Sequence, residues 1–191
     1  MNDANFRRVF RSLPTIETQR LTLGKITVSD AEDMYSYASL NSVTRYLLWS
    51  PHINIEETSG YIEFLNRQYK KGTYADWGIR LKECGTFIGT VGFADFDYEN
   101  NLGEVGYVLN PAYQGKGYMT EAVTAILSVA FDRIGLDKVV LRIIDENRPS
   151  IRLASRLGFT LDHVSDTPLN IKGVDRNICY YVLTRDEWQK K

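Results

Sequence analysis

The sequence predicts one α/β domain of the α+β type, a mixed, mostly antiparallel central sheet with helices on both faces. Three observations predict it. The chain has 191 residues, 43% of them apolar, enough for one sizeable core. Three strand-like stretches follow one another, the last two joined by a hairpin turn at Glu99-Asn-Asn101, which makes an antiparallel block. Strand and helix then alternate. Lys138–Ile144 is a largely apolar run, expected to be a strand buried on both faces.

Taken in order, residues 1–15 read as an N-terminal arm and residues 16–191 as the single domain. Arg20–Leu23 alternates and predicts the first strand. Ser29-Asp-Ala-Glu32 has capping-box spacing and opens a helix to about Leu40. Asn54-Ile-Glu-Glu57 opens a second helix, with Tyr61, Ile62, Leu65 and Tyr69 at helical spacing and an end near Gly72. The strands Asp76–Lys82, Phe87–Phe96 and Leu102–Leu109 come next. A helix from about Gly117 to Ile134 carries an apolar stripe and stops at Gly135. After the strand 138–144, a short helix runs from Pro149 to Leu157 and ends at Gly158. Phe159–Val164 and Asn177–Leu183 are two further strands, and Thr184-Arg-Asp-Glu187 starts a last helical turn.

Composition narrows the function. A formal net charge of −1 does not fit a nucleic-acid-coating protein. The basic start has no apolar core of signal-peptide length, and no run approaches a membrane span. A cytoplasmic protein without membrane or nucleic-acid partners is expected. Cys84, Cys179, His52 and His163 are scattered, so no metal site is expected, and both thiols read as small apolar residues.

The segment that carries chemistry is Glu104 to Ala122. A strand ends at Leu109, Asn110-Pro111 turns the chain, and Gln114-Gly-Lys-Gly117 leads into a helix. Two glycines let successive N–H groups point one way, and the first N–H groups of the helix lack internal partners at the positive end of its dipole. Together they suit an anion such as a pyrophosphate. The dinucleotide fingerprint fails at Thr120 and the P-loop pattern fails at Gly117. Spacing alone therefore leaves a ligand-free turn as an equal alternative.

Gln114-Gly-Lys-Gly-Tyr-Met119 resembles the pyrophosphate loop of the GNAT acetyltransferases. Several flanking segments resemble the RimJ/RimL-type branch of that family: Glu17-Thr-Gln-Arg-Leu21, Val43-Thr-Arg-Tyr46 through Pro51, Phe87-Ile-Gly-Thr-Val-Gly92, Asn147-Arg-Pro-Ser150 and Arg156-Leu-Gly-Phe159. The similarity runs from about Ile16 to Trp188. It implies the GNAT fold and acetyl-CoA as co-substrate, with no metal. Gln114, Gly115, Lys116, Gly117, Tyr118 and Met119 would hold the pyrophosphate. The backbone of Tyr107, Val108 and Leu109 would pair with the pantetheine arm, and the Asn147 amide would steady it. Three departures stand out: Met119, expected to crowd the helix start; Gly24, where many relatives carry a basic residue; and Ala154, where other branches place a tyrosine acid. The last makes Ser150 the candidate acid, beside a plain role in helix capping.

Acetyl transfer needs a neutral amine, donors for the thioester oxygen and help for the departing thiolate. An α-amine is neutral in roughly a tenth to a fifth of molecules at pH 7, a lysine side chain in fewer than about one in a thousand. One carboxylate acting through water suffices for the first. From the residues alone Glu104 reads first as a solvated strand glutamate; the family resemblance reverses this and makes it that candidate. Arg148, Arg152 and Arg156 are candidates for the phosphates, with a solvated basic helix face the safer reading, and Tyr46, Trp49, Trp77 and Tyr98 for the acceptor groove, with plain core packing the commoner role of aromatics. Asp95, Asp97 and Glu99 could attract a cationic substrate or simply solvate the hairpin. The function expected is acetylation of a protein N-terminal α-amine, with a ribosomal protein as the partner the resemblance suggests; the alternatives are acetylation of a small amine such as a polyamine, an aminoglycoside or an amino acid, and a non-catalytic acyl-CoA-binding module, against which Glu104 and the intact glycine loop argue. Monomer and homodimer are both open.

Overall fold

A computed structural model describes residues 10, 13–72 and 75–190. Its main sheet has eight strands in the order β1-β2-β3-β4-β5-β6-β10-β7. The strands are β1 (Ile16–Glu17), β2 (Leu21–Gly24), β3 (Ala75–Leu81), β4 (Phe87–Asp97), β5 (Leu102–Leu109), β6 (Lys138–Ile144), β7 (Thr160–Val164) and β10 (Ile178–Thr184). Every pairing is antiparallel except β5 with β6. A separate hairpin joins β8 (Leu169–Ile171) to β9 (Val174–Arg176). The helices are α1 (Ala31–Ala38), α2 (Asn41–Thr44), α3 (Ile55–Lys71), α4 (Tyr118–Ser128), α5 (Arg148–Arg156) and α6 (Arg185–Gln189). The mixed, mostly antiparallel sheet expected from the sequence is therefore found.

Alternation decides which face each strand residue serves. Trp77, Ile79, Val91, Phe93, Val105, Val139 and Leu141 are buried on one face together with Val123, Ile126 and Leu127 of α4. The opposite face carries Asp76, Gly78 and Arg80 of β3, and α1 and α3 cover this end of it. A bulge in β4 between Phe93 and Asp95 brings Asp95 opposite Glu104. Of residues 1–15, most lie outside the described residues; Phe10 and Leu13 are buried in the core, Phe10 edge-on to Trp77.

Some local expectations are corrected. The capping box is Thr27–Asp30, two residues before the expected Ser29–Glu32, and a 3-10 turn at Val28–Asp30 precedes α1. Asp30 wins because Arg80 reaches it from β3 with two hydrogen bonds, fixing its carboxylate beneath the Thr27 N–H. Asn54 does cap α3, accepting from the Glu57 N–H, and Gly72 ends it in the left-handed region. The helix expected to reach Ile134 changes at Val129 into a π-type turn before Gly135. The β8–β9 hairpin is additional; β6 buries residues on both faces, Val139, Leu141 and Ile143 on one and Val140 and Ile144 on the other, with Lys138 and Arg142 exposed.

Candidate functional site

At the end of β5, Asn110 turns the chain by accepting from the Ala112 N–H, and a 3-10 turn at Pro111–Tyr113 follows. Gly115 and Gly117 both take positive φ, 76° and 81°, which an L side chain rarely adopts. Open space surrounds the position of a Cβ at Gly115, whereas one at Gly117 would lie 3.4 Å from Arg20 Nη2. Gly117 is the N-cap residue of α4 and lends no side chain to the cap, so the leading N–H groups of the helix face outward. The loop is anchored from below. Glu121 accepts from Thr18 Oγ1 at 2.6 Å and from Arg20 N and Arg20 Nε at 2.7 Å each, while Arg20 Nη1 donates to the Lys116 carbonyl at 2.9 Å. Burial raises the Glu121 carboxyl, but these donors outweigh it and hold the group below its usual range. The Arg20 guanidinium lies 4.7 Å over the Tyr118 ring, and Lys116 Nζ sits over Tyr113. Sequence reading missed Arg20 and Glu121 as partners; each is polar in a strand or helix, and only the fold joins them.

Met119 does not crowd the loop as expected: it is buried, its side chain turned into the core. At Gly24, the room a side chain would use lies 3.8 Å from Arg80 Nη1 and 3.9 Å from Thr15 Oγ1.

The parallel pairing of β5 with β6 covers only Leu102–Glu104 against Lys138–Val140. Beyond it Val105–Leu109 and Leu141–Ile144 diverge, leaving the β6-side edge of β5 open. Tyr107 and Ser150 bridge that opening, hydroxyl to hydroxyl at 2.6 Å. Burial drives the Tyr107 phenol up to about 12 against the opposing bond from Ser150. The expected capping role of Ser150 is corrected: Asn147 caps α5, its Oδ1 accepting from the Ser150 N–H at 3.4 Å. Asn147 Nδ2 has no partner among the described residues. Ala154 is wholly buried, so no acid projects from that position. Arg156 Nη1 reaches Thr120 Oγ1 at the start of α4, whereas Arg148 and Arg152 are exposed on α5.

A cavity of about 290 Å³ lies on the α1/α3 side of the sheet. Tyr37, Trp49, His52 and Tyr61 wall it, with Asp76 and Thr90 among its polar groups. The rings run in sequence, Trp49 to His52 at 5.3 Å and His52 to Tyr61 at 6.1 Å. Burial lowers His52, opposed by Glu57, and its Nδ1 meets Thr58 Oγ1 at 2.8 Å. Of the four expected groove aromatics, Trp49 alone lines this cavity. Trp77 is corrected: it is core, its indole N–H given to the Pro14 carbonyl. Tyr46 packs with Ile144 and Ile178 under the Arg176 guanidinium, and Tyr98 stacks on Phe96 in the hairpin. Asp97 satisfies the turn N–H groups at Glu99 and Asn100.

Glu104 lies on the cavity's face of the sheet, one pleat from the lining residue Gly106, and meets Arg142 Nη1 at 3.4 Å. Burial raises its carboxyl and Asp95 adds to this; Arg142 opposes, and the net direction is up. Asp76 was not foreseen as a site residue. Burial pushes its carboxyl up to about 7. A strand acid reads as solvated until the helices above it are placed. Among the described residues no group of three His, Cys, Asp or Glu side chains could hold a metal, and no helix is long and apolar enough to cross a membrane.

Residues 20–160 match the family model described as "Acetyltransferase (GNAT) domain". The chain is 33% identical over 147 residues to the uncharacterized N-acetyltransferase p20 of Bacillus licheniformis, covering 77% of this chain and 83% of that one. It superposes with TM-score 0.77 and 25% identity on the microcin C7 self-immunity acetyltransferase MccE, solved with acetyl-CoA and AMP, over 87% and 93% of the two chains. A ribosomal L7/L12 α-N-protein acetyltransferase, RimL, solved with coenzyme A, shares the fold at TM-score 0.79 and 21% identity over 91% and 99%.

Proposed function

The chain belongs to the GNAT acetyltransferase family, and from that premise we propose that it moves the acetyl group of acetyl-CoA onto a primary amine held in the aromatic cavity. The observation that carries the reading is the junction of an anchored glycine loop with an opened strand edge that leads to the cavity floor. Gly115, Gly117 and the first N–H groups of α4 suit a pyrophosphate, and the exposed side chains of Gln114 and Lys116 flank it. The open edge of Tyr107–Leu109 suits an extended amide-bearing arm that pairs as a strand would, and Asn147 at the head of α5 offers a side-chain amide to it. Acetyl-CoA supplies the thioester when bound.

The chain's own groups then do three things. The cavity orients the amine over Gly106 and Val108. Glu104 takes the proton that the attacking nitrogen loses, through a water, as the C–N bond forms and the C–S bond breaks. The Ser150–Tyr107 hydroxyl pair passes a proton to the departing thiolate, so the products are the amide and the free thiol. An α-amine asks least of this machinery, because part of it is already neutral at pH 7. With the names of the ribosomal-protein relatives, this supports a protein N-terminal α-amine as acceptor. The size of the cavity, about 290 Å³, favours a second reading, a small primary amine. The test is thiol release from acetyl-CoA against N-terminal peptides, aminoglycosides, amino acids and aliphatic amines. Release that depends on one class of amine is expected; no release above hydrolysis with any of them would refute the proposal.

A further inference from the structure

The cavity crosses three strands. Asp76 of β3 pairs across the sheet with Gly92 of β4, which pairs with Gly106 of β5, and all three line the cavity. The two glycines leave the floor between Asp76 and β5 flat; a Cβ at Gly106 would touch only Ala94, at 3.8 Å. Two strand spacings put Asp76 roughly 10 Å from β5. Along that floor the 290 Å³ cavity forms a slot between Asp76 and β5.

The walls leave one charge to be answered. Among the described residues no Lys or Arg lines the cavity. The groups facing Asp76 are Tyr37 from α1, whose phenol burial keeps protonated; His52 from the loop before α3, whose pKa burial lowers; Tyr61 from α3; and Thr90 from β4. Asp76 makes no side-chain hydrogen bond or ion pair with any described residue. An ionised carboxylate there, walled by aromatic faces, meets no cation among the described residues and has the surroundings that attract one.

We propose that the slot is a subsite for diamines, with Asp76 holding a distal ammonium while the amine to be acetylated lies over Gly106. An ammonium hydrogen-bonded to Asp76 would leave roughly 6–7 Å to the reacting nitrogen, the span of about four or five carbons. The distal nitrogen keeps its proton and its charge throughout; one nitrogen is acetylated. The inference rests on the small-amine reading. Burial already holds the empty carboxyl near neutrality, so a cation arriving beside it draws the group into its ionised form.

The experiment compares 1,4-diaminobutane with 1-aminobutane on the wild-type chain and on Asp76→Asn. Thiol release gives kcat/KM, and calorimetry without cofactor gives diamine affinity. Wild type should prefer the diamine by about ten- to a hundredfold, the range of a charge-assisted contact. Asp76→Asn should bring the ratio near one and weaken diamine binding by a similar factor, while a melting curve checks that it folds. Equal use of the two amines by wild type, or a preference kept in Asp76→Asn, overturns the subsite. Release with N-terminal peptides but with neither aliphatic amine overturns the subsite and leaves the acetyltransferase reading standing. Failure of every amine, together with no diamine binding, overturns both.

Discussion

Replacing Glu121 by Gln tests whether the cofactor loop is held from below. Glu121 accepts three hydrogen bonds, from Thr18 Oγ1, Arg20 N and Arg20 Nε. Gln keeps one oxygen for Thr18 and the Arg20 N–H, but it turns an NH2 toward Arg20 Nε, donor against donor. A hydrogen bond to a charged partner contributes about 1.5–3 kcal/mol, and because the Arg20 side chain is 43% exposed we take about 1 kcal/mol. That loss should lower the melting temperature by about 2–4 °C in a chain of this size. Arg20 also holds the Lys116 carbonyl and lies against Gly117, so its release frees the loop. If the same energy is felt in binding, coenzyme A affinity measured by calorimetry should fall about fivefold. A variant that melts lower yet binds coenzyme A as wild type does would refute the argument. The network would then serve the fold alone.

Three further outcomes are expected. Ser150→Ala and Tyr107→Phe should each lower kcat by about 10²–10⁴-fold, and the double variant little further, because the hydroxyls act as one unit; additive losses in steady-state kinetics would separate them. Glu104 has its carboxyl raised in the folded chain, so its ionisation opposes folding at neutral pH, and whatever it contributes favourably is present at low pH and lost as pH rises. Glu104→Gln should therefore melt slightly higher than wild type at pH 7, the gap closing below about pH 4, and its activity loss should shrink toward pH 9, where the amine deprotonates unaided; parallel pH–rate profiles would count against Glu104 as base. Gly89→Ala should destabilise by about 1–3 kcal/mol in chemical denaturation, because its Cβ would press on the Val108 carbonyl and lie 3.1 Å from Leu109 Cα, with no side chain there to yield.

Much of this molecule was legible because local chemistry and global fold agree in it. Asn54, Gly72, Gly135 and the apolar stripe of α4 mark helix limits through interactions within a few residues, and a sequence reports such ranges well. The Gln114–Met119 loop was legible for the same reason: its glycines answer a backbone need at the spot. The failures share a cause too. Thr27 and Asp30 form the capping box in place of Ser29 and Glu32 because an arginine 50 residues away holds Asp30. Trp77 and Asp76 are neighbours in sequence, but strand alternation sends one into the core and the other into the cavity, and nothing local says which face is which. The β8–β9 hairpin turns at Lys172-Gly173, both at positive φ, where a lysine gives no turn signal.

The strand order has a consequence for how the chain is made. β10 sits between β6 and β7, paired to both, with seven residue pairs on the β6 side from Ile178↔Ile144 to Thr184↔Lys138. Strands β1 to β5 form a meander in which each strand meets its neighbour soon after synthesis, β2 and β3 excepted, which wait for α3. β6 and β7 leave the ribosome before the strand that joins them. Until Ile178–Thr184 follows, β6 presents a bare backbone edge beside Val139, Leu141 and Ile143, all destined for the core. A nascent chain stalled within that window is the form of this protein most exposed to mispairing and to chaperone capture.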